Sequence, residues 1–242
     1  NSTNTPISLV NMAGNITNTS GAVSNDASNN LIAIAGGTVN ITTSTGFGKI
    51  GGAGILVSIV DGHTGTLTFN GYINNSSSTA QGIVLNNADG IYNFNGITSL
   101  VAGTAGINIE NGSGGTFNLT NTNSEIRGIT GISFRVNNSS MTINFSGDIT
   151  HTSPTNRGVE LIGATGAITF DANSSLQIGT NPTPMTTAVG IFLDNTGNTN
   201  QISFNQVFIL AGVSGNTASS AFVSQTSGRI AMTTGSIICE GN

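Results

Sequence analysis

Residues 65–71 read GTLTFNG and residues 90–96 read GIYNFNG, the same line with small changes. Related lines stand at 115–121 (GTFNLTN) and 141–147 (MTINFSG). Anchoring on the residue in the FNG position gives Ile41, Phe69, Phe94, Leu119, Phe145, Phe170, Phe204 and Met232. Two residues upstream runs a second apolar set: Val39, Leu67, Tyr92, Phe117, Ile143, Ile168, Ile202 and Ile230. Between them lie Asn40, Thr68, Asn93, Asn118, Asn144, Thr169, Ser203 and Ala231. Alternation of apolar, polar and apolar positions marks a strand with one buried face.

A second strand motif follows in each unit and usually opens with Gly. The copies are GILV (54–57), GIVL (82–85), GINI (106–109), GISF (131–134), GVEL (158–161), GIFL (190–193) and SAFV (220–223). Pairs such as Leu176 with Ile178, or Val207 with Ile209, suggest a third strand per unit. A unit of about 25 residues cannot bury its own apolar face, and stacked copies can. No stretch carries a helical period, so Gly-rich and Asn-rich corners must replace helical crossovers between parallel strands. The expectation is an all-β chain: a right-handed parallel β-helix, or β-solenoid, of about eight coils. It forms a single domain over residues 1–242, with an irregular first coil to residue 35 that includes SLVNMAG and LIAI, and regular coils over 36–242. An antiparallel sandwich has no reason to repeat its columns at this interval. In this reading the N-G after Phe69 and Phe94 supplies positive φ at a corner. Phe69, Phe94, Leu119, Phe145 and Phe170 form one core column, and Glu110 pairs with Arg135 in register on the next coil.

Composition narrows the function classes. Charged residues are 6% of the chain, against about 25% in ordinary domains, while 36% are hydrophobic. The net charge is -5 with one lysine and four arginines, which leaves no basic stripe for a phosphate backbone and argues against a nucleic-acid partner. No apolar run is long enough to span a membrane as a helix. Two His and one Cys allow neither a zinc ribbon nor an intrachain disulfide framework. The chain starts at Asn1 without a Met or a signal peptide, and reads as a processed product or a segment of a longer protein.

With these coils in view, the sequence resembles the passenger regions of bacterial autotransporters and related surface adhesins. In its Asn/Gly/Thr-rich texture it is nearest to the rickettsial outer-membrane surface antigens. The resemblance implies an exported protein, extracellular or on the bacterial cell surface, that serves adhesion, surface coating or scaffolding. Its implied partners are glycans or surface proteins of a host or neighbouring cell, and further β-helix coils. Two alternatives stay open: a subunit of an extracellular fibre assembled end to end, and a polysaccharide lyase or hydrolase on the same fold. The fibre reading draws on terminal segments that keep the strand pattern without a helical cap: SLVNM behind Pro6, and RIAMTTGSII (229–238).

No catalytic, cofactor-binding or metal-ligating residue is assigned. Asp148 and Asp171 follow in neighbouring units and are the carboxylate pair to consider for glycoside chemistry. Asp171 also fits a polar corner ladder with Asn70, Asn95, Thr120, Ser146 and Asn205. His63 and His151 lack partners at metal-ligand spacing and read as solvated turn residues. Asp61, Asp89 and Asp194 read as isolated acids in turns, and Cys239 as an ordinary core or rim thiol. The Asn-x-Ser/Thr sequons at Asn15, Asn40, Asn75, Asn118, Asn144 and Asn173 arise by chance in such a composition. The mixed outward ladder of Asn, Thr, Ser and Ala gives no flat threonine array for ice binding.

Overall fold

The computed structural model describes residues 5–180, 184–194, 201–213, 220–225 and 229–241. Every regular element among them is a β-strand, every strand pairing is parallel, and the strands stack as a β-solenoid of about eight turns. Each full coil carries three strands. Among the described residues the first face holds nine: Ile7–Val10, Ile32–Ala35, Ile55–Val60, Gln81–Asn86, Ala105–Glu110, Phe134–Ser139, Val159–Ala164, Ile191–Asp194 and Phe222–Gln225. The second face is built from strands such as Thr66–Phe69 and Ile91–Phe94, and the third from strands such as Ile73–Asn75 and Asp148–His151. The long strands Gln201–Val213 and Arg229–Gly241 join these two faces into one sheet.

The core is a set of vertical columns. On the second face Phe69, Phe94, Leu119, Phe145 and Phe170 follow one another in register and are buried, as expected from the repeat. Phe69 and Phe94 stack at 5.0 Å, as do Phe170 and Phe204 at 5.1 Å. The pairs Leu176 with Ile178 and Val207 with Ile209 form the expected third strands, in register and buried.

The register departs from the sequence reading in places, mostly by two residues. Ile41 pairs with Leu67, and Thr43, not Ile41, stands beside Phe69. Val57, not Ile55, stands beside Ile83. Phe134 follows Ile107 in the inward column where GISF had placed Ile132. A shift of two keeps the same side chains inward, so alternation cannot detect it. At SAFV the shift is one residue, because Phe222 and not Ala221 pairs with Ile191. SLVNMAG and LIAI likewise do not share one degenerate coil. They contribute first-face strands to two successive coils, with Ile7 on Ile32 and Leu9 on Ile34, and residues 7–25 already hold all three strands.

The corners divide the work that the sequence assigned to N-G alone. Left-handed backbone occurs at the end of the first face, just past the strand at Asn11, Gly36, Asp61, Asn87 and Asn111 and in its last residues at Asn138 and Gly163, with φ of 50–60°. Gly71 and Gly96, which close the FNG lines, are not left-handed. They are glycines because the neighbouring coil comes too close: a Cβ on Gly96 would stand 2.0 Å from the carbonyl oxygen of Gly71.

Candidate functional site

Three of the four ion pairs among the described residues lie on the outward side of the first face. Val84, Asn108, Glu160 and Phe192, the middle residues of their motifs, form one column with Arg135, each in register with the next. Glu110 stands two residues along from Asn108, on the same side of its strand. Arg135 donates from Nε to Glu160 at 2.9 Å and from an Nη to Glu110 at 3.3 Å. Arg157 donates to the other oxygen of Glu160, and its guanidinium lies 3.7 Å over the ring of Phe192. Asn108 and Asn86 donate to Glu110 at 3.1 and 3.4 Å. The expected Glu110–Arg135 pair therefore forms, but diagonally. The in-register neighbours of Arg135 are Asn108 and Glu160.

Two adjoining depressions flank this column where the third face turns into the first. One, of about 430 Å³, is lined by Gln81, Thr104, Asn108, Ile132, Arg135 and Asn156, among others. The other, of about 360 Å³, runs on past Ile132, Asn156, Arg157 and Glu160 to Thr187 and Val189. Two guanidinium groups and two carboxylates compensate one another here. The amide oxygen of Asn108 is buried and has no hydrogen-bond partner. Such a surface suits a neutral ligand with hydroxyl donors better than an ion. A separate apolar cavity of about 160 Å³, lined by Ile7, Leu9, Ile16, Ile32, Ile41 and Phe47, is the open mouth of the core in the first coils.

Asp148 and Asp171 are not brought opposite each other. Asp171 ends the second-face strand, accepts from Ser146 Oγ at 2.6 Å and caps its own turn through the Asn173 N–H. This is the corner ladder expected for it, which continues as Asn95 to Asn70 and Thr120 to Asn95. Asp148 lies on the third face between Glu125 and Ser175. Burial and the Glu125 carboxylate push its pKa up, against a backbone hydrogen bond from Ser175. The outward Asn ladder is continuous, Asn144 to Asn118 to Asn93 to Thr68, with each amide donating to the next rung.

Both histidines overturn their reading as solvated turn residues, since each is fully buried. The Nε2 of His63 donates to the Val39 carbonyl at 3.1 Å, and its ring packs 5.8 Å from Tyr92. Tyr92 accepts from the Gly90 N–H and donates to the His63 carbonyl, both at 2.9 Å. The His151 Nε2 faces the carbonyls of Ser153 and Asn156, and its Nδ1 meets Ser133 Oγ at 2.9 Å. Each histidine staples a corner between coils, and sequence spacing held no sign of it. Among the described residues, no group of three His, Cys, Asp or Glu side chains could hold a metal ion, and no helix is long and apolar enough to cross a membrane. The side chain of Cys239 lies outside the described residues. Compared with family models, curated proteins and solved structures, the chain matches none of them.

Proposed function

We propose that the chain is a non-enzymatic, extracellular or surface-displayed β-solenoid that acts as a structural and adhesive element in the manner of an autotransporter passenger. In this reading the Asn108–Arg135–Glu160–Phe192 column and its groove hold a neutral glycan of a neighbouring surface. The observation that carries it is a groove lined by Asn108 and Arg135 whose charges are already paired. Hydroxyl pairs of a sugar match planar amide and guanidinium edges, and weak contacts repeated along a rod sum to useful avidity. The carboxylates of Glu110 and Glu160 are engaged by guanidinium groups, which favours holding over turnover.

The test is a glycan array followed by titration calorimetry with the native chain, Asn108→Ala and Arg157→Ala. Binding of neutral oligosaccharides that weakens about tenfold in both variants supports the reading, since losing one such contact costs about 1.4 kcal/mol. No binding, or binding indifferent to both changes, sinks it. Release of reducing ends from a polysaccharide panel would instead favour the lyase or hydrolase.

A second reading, end-to-end assembly into a fibre, draws on the outermost described coils. Ile16 and Met232 continue inward columns yet are 38% and 42% exposed. Light scattering and negative-stain imaging test it, and a monodisperse monomer at high concentration would refute it.

A further inference from the structure

Lys49 occupies a position that the same column fills with apolar side chains in most later coils. It is fully buried, in register with Asn25 on the preceding coil and Asn75 on the following one. The column then continues as Leu100, Ile126, Ile149 and Leu176. The amine donates to the Ala27 carbonyl and forms no ion pair among the described residues. A charged ammonium without a carboxylate partner is costly in such a place. Burial accordingly pushes the Lys49 pKa below the ordinary lysine range, against the pull of the Asp26 carboxylate.

The two flanking asparagines differ. Both ends of the Asn75 amide are engaged: its nitrogen donates to the Ala102 carbonyl at 2.9 Å, and its oxygen accepts the Ser77 N–H at 3.1 Å. The Asn25 oxygen accepts the Ala27 N–H at 2.5 Å, but its nitrogen is buried and has no hydrogen-bond partner. Ala27 thus grips both groups, the lysine amine through its carbonyl and the asparagine amide through its N–H.

We propose that Lys49 and Asn25 join spontaneously in an isopeptide bond that ties the first coil to the second. The lone pair of the neutral amine attacks Cγ of Asn25. Negative charge collects on Oδ1, where the Ala27 N–H already donates. The Cγ–Nδ2 bond then breaks, and the departing nitrogen takes one proton from the attacking amine and leaves as ammonia. One C–N bond forms and one breaks, with no oxidant, cofactor or metal consumed. The strands that carry the two residues are in-register neighbours about 4.8 Å apart, which puts both side chains in one buried column beside Ala27. The unbonded Nδ2 makes Asn25, rather than Asn75, the partner that can lose its nitrogen.

Intact mass spectrometry of the full chain, with fragmentation of its proteolytic peptides, decides the matter. The expected result is a mass lower than the sequence mass by one ammonia, with a branched peptide joining Lys49 to Asn25. Lys49→Met and Asn25→Ala restore the plain sequence mass. A native chain at its full sequence mass overturns the proposal whether or not any variant folds. So does a branch that runs to Asn75, or an ammonia loss that survives Lys49→Met, as cyclisation at an Asn-Gly pair would give.

Discussion

Arg135 binds two glutamates on opposite sides of itself, Glu160 in register and Glu110 two residues off register. The fork of the guanidinium allows this, because separate nitrogens reach separate coils. Glu160 is 7% exposed, so removal of Arg135 leaves a largely buried carboxylate with Arg157 alone. Arg135→Met is expected to lower stability by about 1–3 kcal/mol, as for lost charged hydrogen bonds. Arg135→Lys recovers only part of the loss, since an ammonium cannot fork. Urea unfolding of both variants checks this, and equal midpoints for Lys and Arg would deny the bridging role.

The aromatic column carries a larger share of the stability. Phe94 is fully buried, stacks on Phe69 at 5.0 Å and meets Phe117 at 5.3 Å. Phe94→Ala is expected to cost about 3–5 kcal/mol through lost burial and the cavity left behind. Phe208 points outward opposite Gln177 and is 37% exposed, so Phe208→Ala should cost under about 1 kcal/mol. Thermal unfolding of the two variants side by side tests the inward assignment of the column.

The repeat was legible because burial on one face of a strand imposes a period of two, and stacking imposes a period of one coil. Both periods are written in side-chain type, so Phe69, Phe94 and Phe145 declared their column. A two-residue shift changes neither signal. The coil from Ile107 to Phe134 takes 27 residues, against 24 from Ile83 to Ile107, and the excess put Ser133 in the place of Arg135. The outward column of the candidate site was therefore hidden, although Asn108, Glu160 and Phe192 stood at the middle of their motifs. The buried histidines and Lys49 were illegible for another reason. Their environments are made by backbone carbonyls, of the neighbouring coil at Val39 and Ala27 and of the following loop at Asn156, and any residue type can supply a carbonyl.

Acid should weaken the fold well above the usual carboxylate range. Burial lowers the pKa of both His63 and His151 below the ordinary 6.5. Their unfolded forms therefore bind protons more readily, and stability falls as pH drops below about 6.5 toward the lower folded values. Asp148 works in the opposite sense, since its raised pKa favours the folded form as it protonates, at more acidic pH. The urea midpoint is expected to drop between pH 7.5 and 5.5, with most of the slope removed in a His63→Gln, His151→Gln double variant. A flat profile for the native chain over that interval would contradict the burial of both rings.

Corner chemistry gives the sharpest contrast between two single substitutions. Asn111 has φ of 55° and is exposed, so its backbone, not its surroundings, restricts what can stand there. Asn111→Gly is expected to change stability by a few tenths of a kcal/mol, because glycine accepts the left-handed region but loses more entropy on folding. Asn111→Ala is expected to cost about 1 kcal/mol, the strain of a β-carbon in that region. At Gly96 the argument reverses. Its φ is not left-handed, yet an added Cβ would stand 2.0 Å from the Gly71 carbonyl oxygen and 2.7 Å from that of Asn70. The obstacle is backbone of the adjacent coil, which moves only if the stacking opens. Gly96→Ala is expected to cost about 2–4 kcal/mol, more than Asn111→Ala despite the identical residue introduced. Unfolding midpoints of the three variants measure the order directly. If Gly96→Ala proves the milder of the two alanine changes, the coils lie farther apart at the FNG corner than their hydrogen-bonded register requires.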